Sequence, residues 1–157
     1  MCGPVLSATF ARGRISRLRR AVAARAADEG LAGRALEDFV VAVNEIITNA
    51  VLHGGGGGRL RLWREQDRLW CEVSDDGPGL APGWTPAPPP TAFAAGGRGL
   101  WLARLLCDRF TIVTGPEGTT VTLAAPVRDR PGHGETDHGD PLRQQPGHGE
   151  ASPRGPR

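Results

Sequence analysis

The sequence predicts an α+β domain, and two observations carry that prediction. Leu36 to His53 contains no Gly or Pro, and Leu36, Phe39, Val40, Val43, Ile47, Ala50 and Val51 recur at helical spacing. Arg59–Arg64 and Arg68–Asp75 flank Glu65-Gln66-Asp67 as the arms of a hairpin. Phe110–Thr114 and Thr119–Ala125 flank Gly115-Pro116-Glu117-Gly118 in the same way.

Taken in order, Val5–Ala11 alternates weakly and reads as an edge strand that stops before Gly13. Ile15 to Asp28 follows as a helix with Ile15, Leu18, Val22 and Ala26 on one face. Arg12, Arg14, Arg17, Arg19, Arg20 and Arg25 make this segment strongly basic. Two readings stay open: a solvated helix face, or a docking surface for an acidic protein partner or a second subunit. Gly30 and Gly33 separate this helix from the central one. The polar side of the central helix carries Glu45, Asn49 and His53, each four residues from the last and therefore stacked along one face.

Gly54–Gly58 ends the central helix and is expected to supply a left-handed cap and then a flexible loop. In the second hairpin strand Leu69, Cys71, Val73 and Asp75 share one face, while Trp70, Glu72 and Ser74 share the other. Asp75 thus points inward with the apolar set, where a carboxylate is costly unless hydrogen-bonded. That parity weighs against reading Asp75-Asp76-Gly77 as a hairpin turn alone.

Segment 80–97, with Pro82, Pro86, Pro88, Pro89 and Pro90, is a lid or a disordered loop. Gly96-Gly97-Arg98-Gly99 leads into a short helix, Leu100–Asp108, with Leu102, Leu105 and Leu106 available for the core. Trp63, Trp70, Trp84 and Trp101 read as packing residues. After Val127 the composition changes. Residues 128–157 hold few apolar side chains, and Pro-Gly-His-Gly-Glu occurs at 131–135 and again at 146–150, which reads as a disordered tail. The ordered domain is therefore expected to span 1–127.

Composition excludes several functions. At 157 residues and 39% hydrophobic, the chain holds one modest core. No apolar run approaches the ~20 residues of a membrane span. No basic segment followed by an apolar one opens the chain, so no secretion signal is expected. Cys2, Cys71 and Cys107 have no metal-ligand spacing; reduced thiols in a cytoplasmic protein are expected. All 19 Lys+Arg residues are Arg, which excludes a P-loop and the protein-kinase strand lysine. A net charge of +2 does not argue for nucleic acid.

The polar residues that remain fit a nucleotide. Asp75, aimed inward, can accept a hydrogen bond from an exocyclic amine such as that of adenine. Gly77 and Gly79 let backbone approach a flat base. Gly97 and Gly99 free N–H groups at a helix N-terminus, where phosphate is favoured, and Arg98 is the nearest cation in that loop. Asn49 offers an amide oxygen to Mg²⁺, which prefers oxygen ligands and keeps several waters. Glu45, one turn earlier, can orient or deprotonate the group attacking a γ-phosphate. His53 by itself reads as a partner for the helix C-terminus.

Glu45-x-x-x-Asn49 with Asn49-Ala-x-x-His53, Asp75-x-Gly77-x-Gly79, and Gly97-x-Gly99-Leu100 resemble the N, G1 and G2 boxes of the histidine-kinase-like ATPase superfamily. The resemblance covers about Val5 to Ala125. It implies a two-layer α/β sandwich with helices on one face of a mixed, mainly antiparallel sheet. It also implies ATP and Mg²⁺ as cofactors, an ATP-binding role for His53, and a supporting role for Thr119 beside the adenine-binding aspartate.

Within that superfamily, Asn44-Glu45-Ile46-Ile47-Thr48-Asn49-Ala50-Val51-Leu52-His53-Gly54 resembles the bacterial anti-sigma-factor serine/threonine kinases. That branch implies a sigma factor and an anti-anti-sigma protein as partners, phosphorylation of a serine on the latter, and a homodimer. Direct nucleic-acid or membrane binding is not expected. A non-catalytic, ATP-dependent sequestering module and a detached ATPase domain of a two-component histidine kinase are the alternatives. The proline- and glycine-rich lid and the histidine-containing tail depart from the branch.

Overall fold

Apolar residues at alternate positions of three neighbouring strands meet the apolar stripe of one long helix, and that contact is the core. The computed structural model describes residues 3–82, 84 and 98–128. Most of the lid segment, Gly97 with it, and the tail from 129 onward lie outside the described residues. The elements are β1 (Leu6–Ala11), α1 (Ile15–Asp28), α2 (Gly33–His53), β2 (Gly57–Glu65), β3 (Arg68–Ser74), α3 (Arg98–Leu106), β4 (Arg109–Gly115) and β5 (Gly118–Pro126).

The strands form one sheet in the order β1-β2-β3-β5-β4, and every pairing is antiparallel. The helices lie on one face, giving the expected two-layer α+β sandwich. Register explains the core. Leu62 pairs with Cys71 and Cys71 with Leu123; Leu60 pairs with Val73 and Val73 with Val121. These two rows run under α2, which buries Phe39, Ala42, Val43, Ile46, Ile47, Ala50 and Val51. Each of the larger ones, Phe39, Val43, Ile46, Ile47 and Val51, contributes about 1.5–3 kcal/mol.

A third inward row begins with Phe10 opposite Gly58 and ends with Thr119 opposite Thr114. Asp75 fills the position between them. It directly follows β3, and its N–H donates to the Thr119 carbonyl at 2.9 Å. The sheet's alternation therefore delivers a carboxylate to the place where the next apolar residue would stand.

Several boundaries differ from the sequence reading, each for a physical reason. The left-handed backbone lies at Gly55 (φ 90°) and Gly56 (φ 98°), whereas the cap Gly54 has φ −102°. Gly57 and Gly58 belong to β2 instead of the loop, because they pair with Ala11 and Phe10. In α2, Leu36 and Val40 are only half-buried, while Ala42 and Ile46 complete the buried stripe. In α3 the fully buried contacts come from Leu100 and Ala103, with Leu106 half-buried against the core. Leu105 is 65% exposed, because five residues of helix carry it about 140° around the axis from Leu100. No helix among the described residues is long and apolar enough to cross a membrane.

Candidate functional site

Asp75 is 7% exposed and held by the backbone around it. Its Oδ1 accepts from the Gly77 N–H at 3.0 Å and from the Thr119 N–H at 3.2 Å. Hydrogen bonds of this kind to a charged acceptor are stronger than neutral ones. Among the described residues nothing donates to Oδ2, and no buried side-chain oxygen or nitrogen is left without a partner, so Oδ2 keeps an opening to solvent. The site thus presents one committed carboxylate oxygen and one available one.

Glycines make room for this carboxylate. A side chain at Gly54 would run into the Asp75 carboxyl group, and one at Gly77 would come within 2.6 Å of the Gly54 Cα. The end of α2 and the turn after β3 therefore touch backbone to backbone. Gly79 (φ 81°) packs against the Gly115 carbonyl, and Gly118 (φ 140°) against the Asp75 carbonyl. Packing of the chain on itself is reason enough for glycine at all four positions.

Thr119 is 3% exposed and supports Asp75 with its backbone, through both its N–H and its carbonyl. Its hydroxyl lies 2.9 Å from the Thr114 hydroxyl, which accepts from the Leu80 N–H at 2.9 Å. Thr114 therefore ties the first residue of the lid segment to the sheet, a role absent from the sequence reading. The signal was available, since Thr114 and Thr119 are the facing residues on either side of the 115–118 turn.

Glu45 belongs to the other end of the site. It is half-buried, and its Oε2 lies 2.6 Å from where a side chain at Gly99 would begin. The first turn of α3 thus passes directly over this carboxylate. Asn49 is half-buried one turn further along α2, and His53 is exposed in the last turn. Arg98 opens α3 and is exposed. Gly97, the remaining member of that group, lies outside the described residues.

Helix α2 acts as a ruler between the two ends. From Glu45 to Gly54, which touches Asp75, the rise is about 13 Å, with Asn49 roughly midway. That span suits a nucleoside triphosphate lying along the helix, base at Asp75 and terminal phosphate at Glu45. The donors also fit Mg²⁺. No group of three or more His, Cys, Asp or Glu able to hold a metal exists among the described residues. A single amide oxygen from Asn49 then suits a cation whose other ligands are phosphate oxygens and water.

The rim is charged. Arg59 donates to both carboxylate oxygens of Asp76, at 3.0 and 3.2 Å. This hydrogen-bonded guanidinium holds the exposed Asp76 carboxyl below its usual range. Asp76 therefore stays an anion beside Asp75, paired with Arg59 at the rim.

The family profile described as "Histidine kinase-like ATPase domain" matches residues 8–125. Among solved structures, the chain is similar to the RsbU and RsbW domains of Rv1364c from Mycobacterium tuberculosis, at 23% identity and a TM-score of 0.61, over 82% of this chain. The chain spans about a third (34%) of that structure's length. It is also similar to a mycobacterial sensor histidine kinase, MprB, at 15% identity and a TM-score of 0.52, over 80% of this chain and 100% of that one. A third is the histidine kinase domain of a blue-light-activated kinase from Erythrobacter litoralis, at 20% identity and a TM-score of 0.51, over 72% of this chain and 63% of that one. No curated protein is a significant match. At these identities the structural likenesses establish the fold.

Proposed function

Because the chain belongs to the histidine kinase-like ATPase family, we propose that it binds Mg-ATP and phosphorylates a serine or threonine of an anti-anti-sigma protein, while restraining a sigma factor. One observation carries the catalytic part: the Glu45 carboxylate lies against Gly99 at the N-terminal turn of α3. A helix N-terminus favours phosphate, so a proton-accepting group stands next to the place where the terminal phosphate is best stabilised. A module that only sequesters its partner has no use for a carboxylate there. The wording of residues 44–54 supports the anti-sigma branch, and an RsbW domain is part of one similar structure.

In this reading Asp75 receives the exocyclic amine of adenine at Oδ2, and Gly77 and Gly79 bring backbone to the base. Asn49 would hold Mg²⁺, Gly99 offers its N–H to phosphate, a role the Gly97-x-Gly99 pattern gives to Gly97 as well, and Arg98 and His53 flank the nucleotide. When bound, ATP supplies the phosphoryl group: the acceptor oxygen bonds to the γ-phosphorus as its bond to the bridging oxygen breaks and ADP leaves. Glu45 orients the acceptor hydroxyl and takes its proton, which then passes to solvent. The protein acts as a cytoplasmic homodimer.

Incubation with γ-labelled ATP and each sigma antagonist encoded beside this chain tests the proposal. The expected result is label on a serine or threonine of one antagonist, abolished by Glu45→Gln. Label on a histidine of this chain or another would overturn it. So would ATP uptake with no label on any antagonist.

A further inference from the structure

The third inward row of the sheet ends on Asp75, Thr119 and Thr114. Asp75 follows β3, Thr119 stands beside it on β5, and Thr114 stands opposite Thr119 on β4. Neighbours on one face of paired strands have Cβ atoms about 4.5–5.5 Å apart. The row therefore sets a carboxylate next to a hydroxyl, with another hydroxyl behind it. Asp75 and Thr119 are buried, whereas Thr114 is exposed.

The hydrogens of this row have a favoured order. The Leu80 N–H donates to Thr114 Oγ at 2.9 Å, and Thr114 Oγ lies 2.9 Å from Thr119 Oγ, where either hydroxyl can supply the hydrogen. An oxygen that already accepts an N–H is polarised into a better donor, so bonds in such a chain strengthen one another by running one way. The order is then Leu80 N–H to Thr114, and Thr114 O–H to Thr119. That leaves the hydrogen of the buried Thr119 hydroxyl to be given, and among the described residues nothing accepts it. Gly79 packs against the same junction, since a side chain on it would begin 3.1 Å from Thr114 Oγ.

We propose that Thr114 is a positioning residue that sets the purine selectivity of the site from behind Thr119. By donating to Thr119 it makes the buried hydroxyl a donor, beside the accepting Oδ2 of Asp75. The edge that fits this pair has an amine next to a bare ring nitrogen, as adenine does. Hypoxanthine, with a carbonyl next to a ring N–H, mismatches both groups. Without the Thr114 hydroxyl, Thr119 is free to accept as well as to donate, and the mismatch at the ring nitrogen disappears. The inference rests on the reading of Asp75 as the carboxylate that meets the base, and extends that reading from one atom of the base to a second.

Calorimetry in magnesium with ATP, inosine triphosphate and 1-deaza-ATP, which has carbon in place of the bare ring nitrogen, tests this. The wild type should bind ATP about 100-fold tighter than inosine triphosphate, as two mismatched hydrogen bonds imply, and about tenfold tighter than 1-deaza-ATP. Thr114→Val should bind inosine triphosphate about tenfold tighter than the wild type does. Thr114→Ser, which keeps the hydroxyl, should keep the wild-type ratios. A role confined to structure lowers every affinity by one factor, so unchanged ratios in Thr114→Val overturn the proposal. Equal wild-type affinity for ATP and 1-deaza-ATP overturns it without any variant and leaves the amine contact at Asp75 standing. Equal affinity for ATP and inosine triphosphate removes that contact as well. No uptake of any of them removes the nucleotide reading and this proposal with it. Urea midpoints confirm that both variants fold.

Discussion

Glu45 and Gly99 fit each other as carboxylate and notch: Oε2 of the one lies 2.6 Å from where a Cβ on the other would stand. A methyl group there displaces the far end of a flexible side chain, not backbone. Gly99→Ala should therefore leave the fold intact, and alanine's helix preference offers up to about 0.5–1 kcal/mol in return. Phosphoryl transfer should fall by about 10²-fold, the low end of what a positioned proton acceptor contributes. Single-turnover transfer beside urea unfolding checks this. Unchanged transfer would show that Glu45 needs no such notch.

Asp75→Asn keeps one oxygen for the Gly77 and Thr119 N–H groups and places an NH₂ where Oδ2 was. The fold should survive, while ATP affinity should drop about 10- to 100-fold, matching the roughly 1.5–3 kcal/mol of a hydrogen bond to a charged group. In the wild type a guanine, which presents a carbonyl oxygen at that edge, would meet a carboxylate, so GTP should bind more weakly than ATP. Calorimetry with ATP and GTP on both proteins reads the two effects, and equal affinities throughout would remove the base-reading role.

Gly54→Ala places a methyl group against the Asp75 carboxyl and the Ala50 carbonyl at once. Neither neighbour is free to swing away, since Oδ1 of Asp75 is bound twice and the Ala50 carbonyl accepts the Gly54 N–H. The loss should be about 1–3 kcal/mol, as for overpacked cores. The urea midpoint checks it, and it should fall together with ATP uptake.

Stability should decline at alkaline pH, and the cause is unusually easy to isolate. Burial, with Asp38 and Asp108 nearby, pushes the Cys107 thiol from its ordinary 9.0 up to about 12. Burial also raises the fully enclosed Cys71. Above pH 9 the unfolded chain has released these protons and the folded one has not, so the folded state loses about 1.4 kcal/mol per pH unit per thiol. The effect is absent below pH 9 and ends as each folded thiol ionises. With no lysine and no tyrosine, few other groups titrate in that window. Denaturation midpoints should hold from pH 8 to 9 and fall from pH 9 to 10 for the wild type, and fall less for Cys71→Ala.

How much of this was legible follows the range of the interactions. The inward aim of Asp75 was readable because a strand alternates with period two, and three apolar residues set the phase. The bounds of α1 were readable because Ile15, Leu18, Val22 and Ala26 repeat within one helix. The role of Gly54 was not readable, since it depends on a helix end meeting a strand end 21 residues later in the chain. For the same reason Thr119 was noted while its means of support was not. Its N–H, which any residue but proline would supply, holds Asp75, and its hydroxyl serves Thr114. Leu105 misled because a short helix shows too few turns to define its buried side.

Phe39, Ile46 and Ile47 hold up the molecule from the same helix that carries Glu45 and Asn49 on its other side. Most damaging alleles recovered by random mutagenesis of this stretch will thus be lost to proteolysis before they say anything about chemistry. A screen that first selects for soluble accumulation should leave a short list of null alleles here, concentrated at codons 45 and 49.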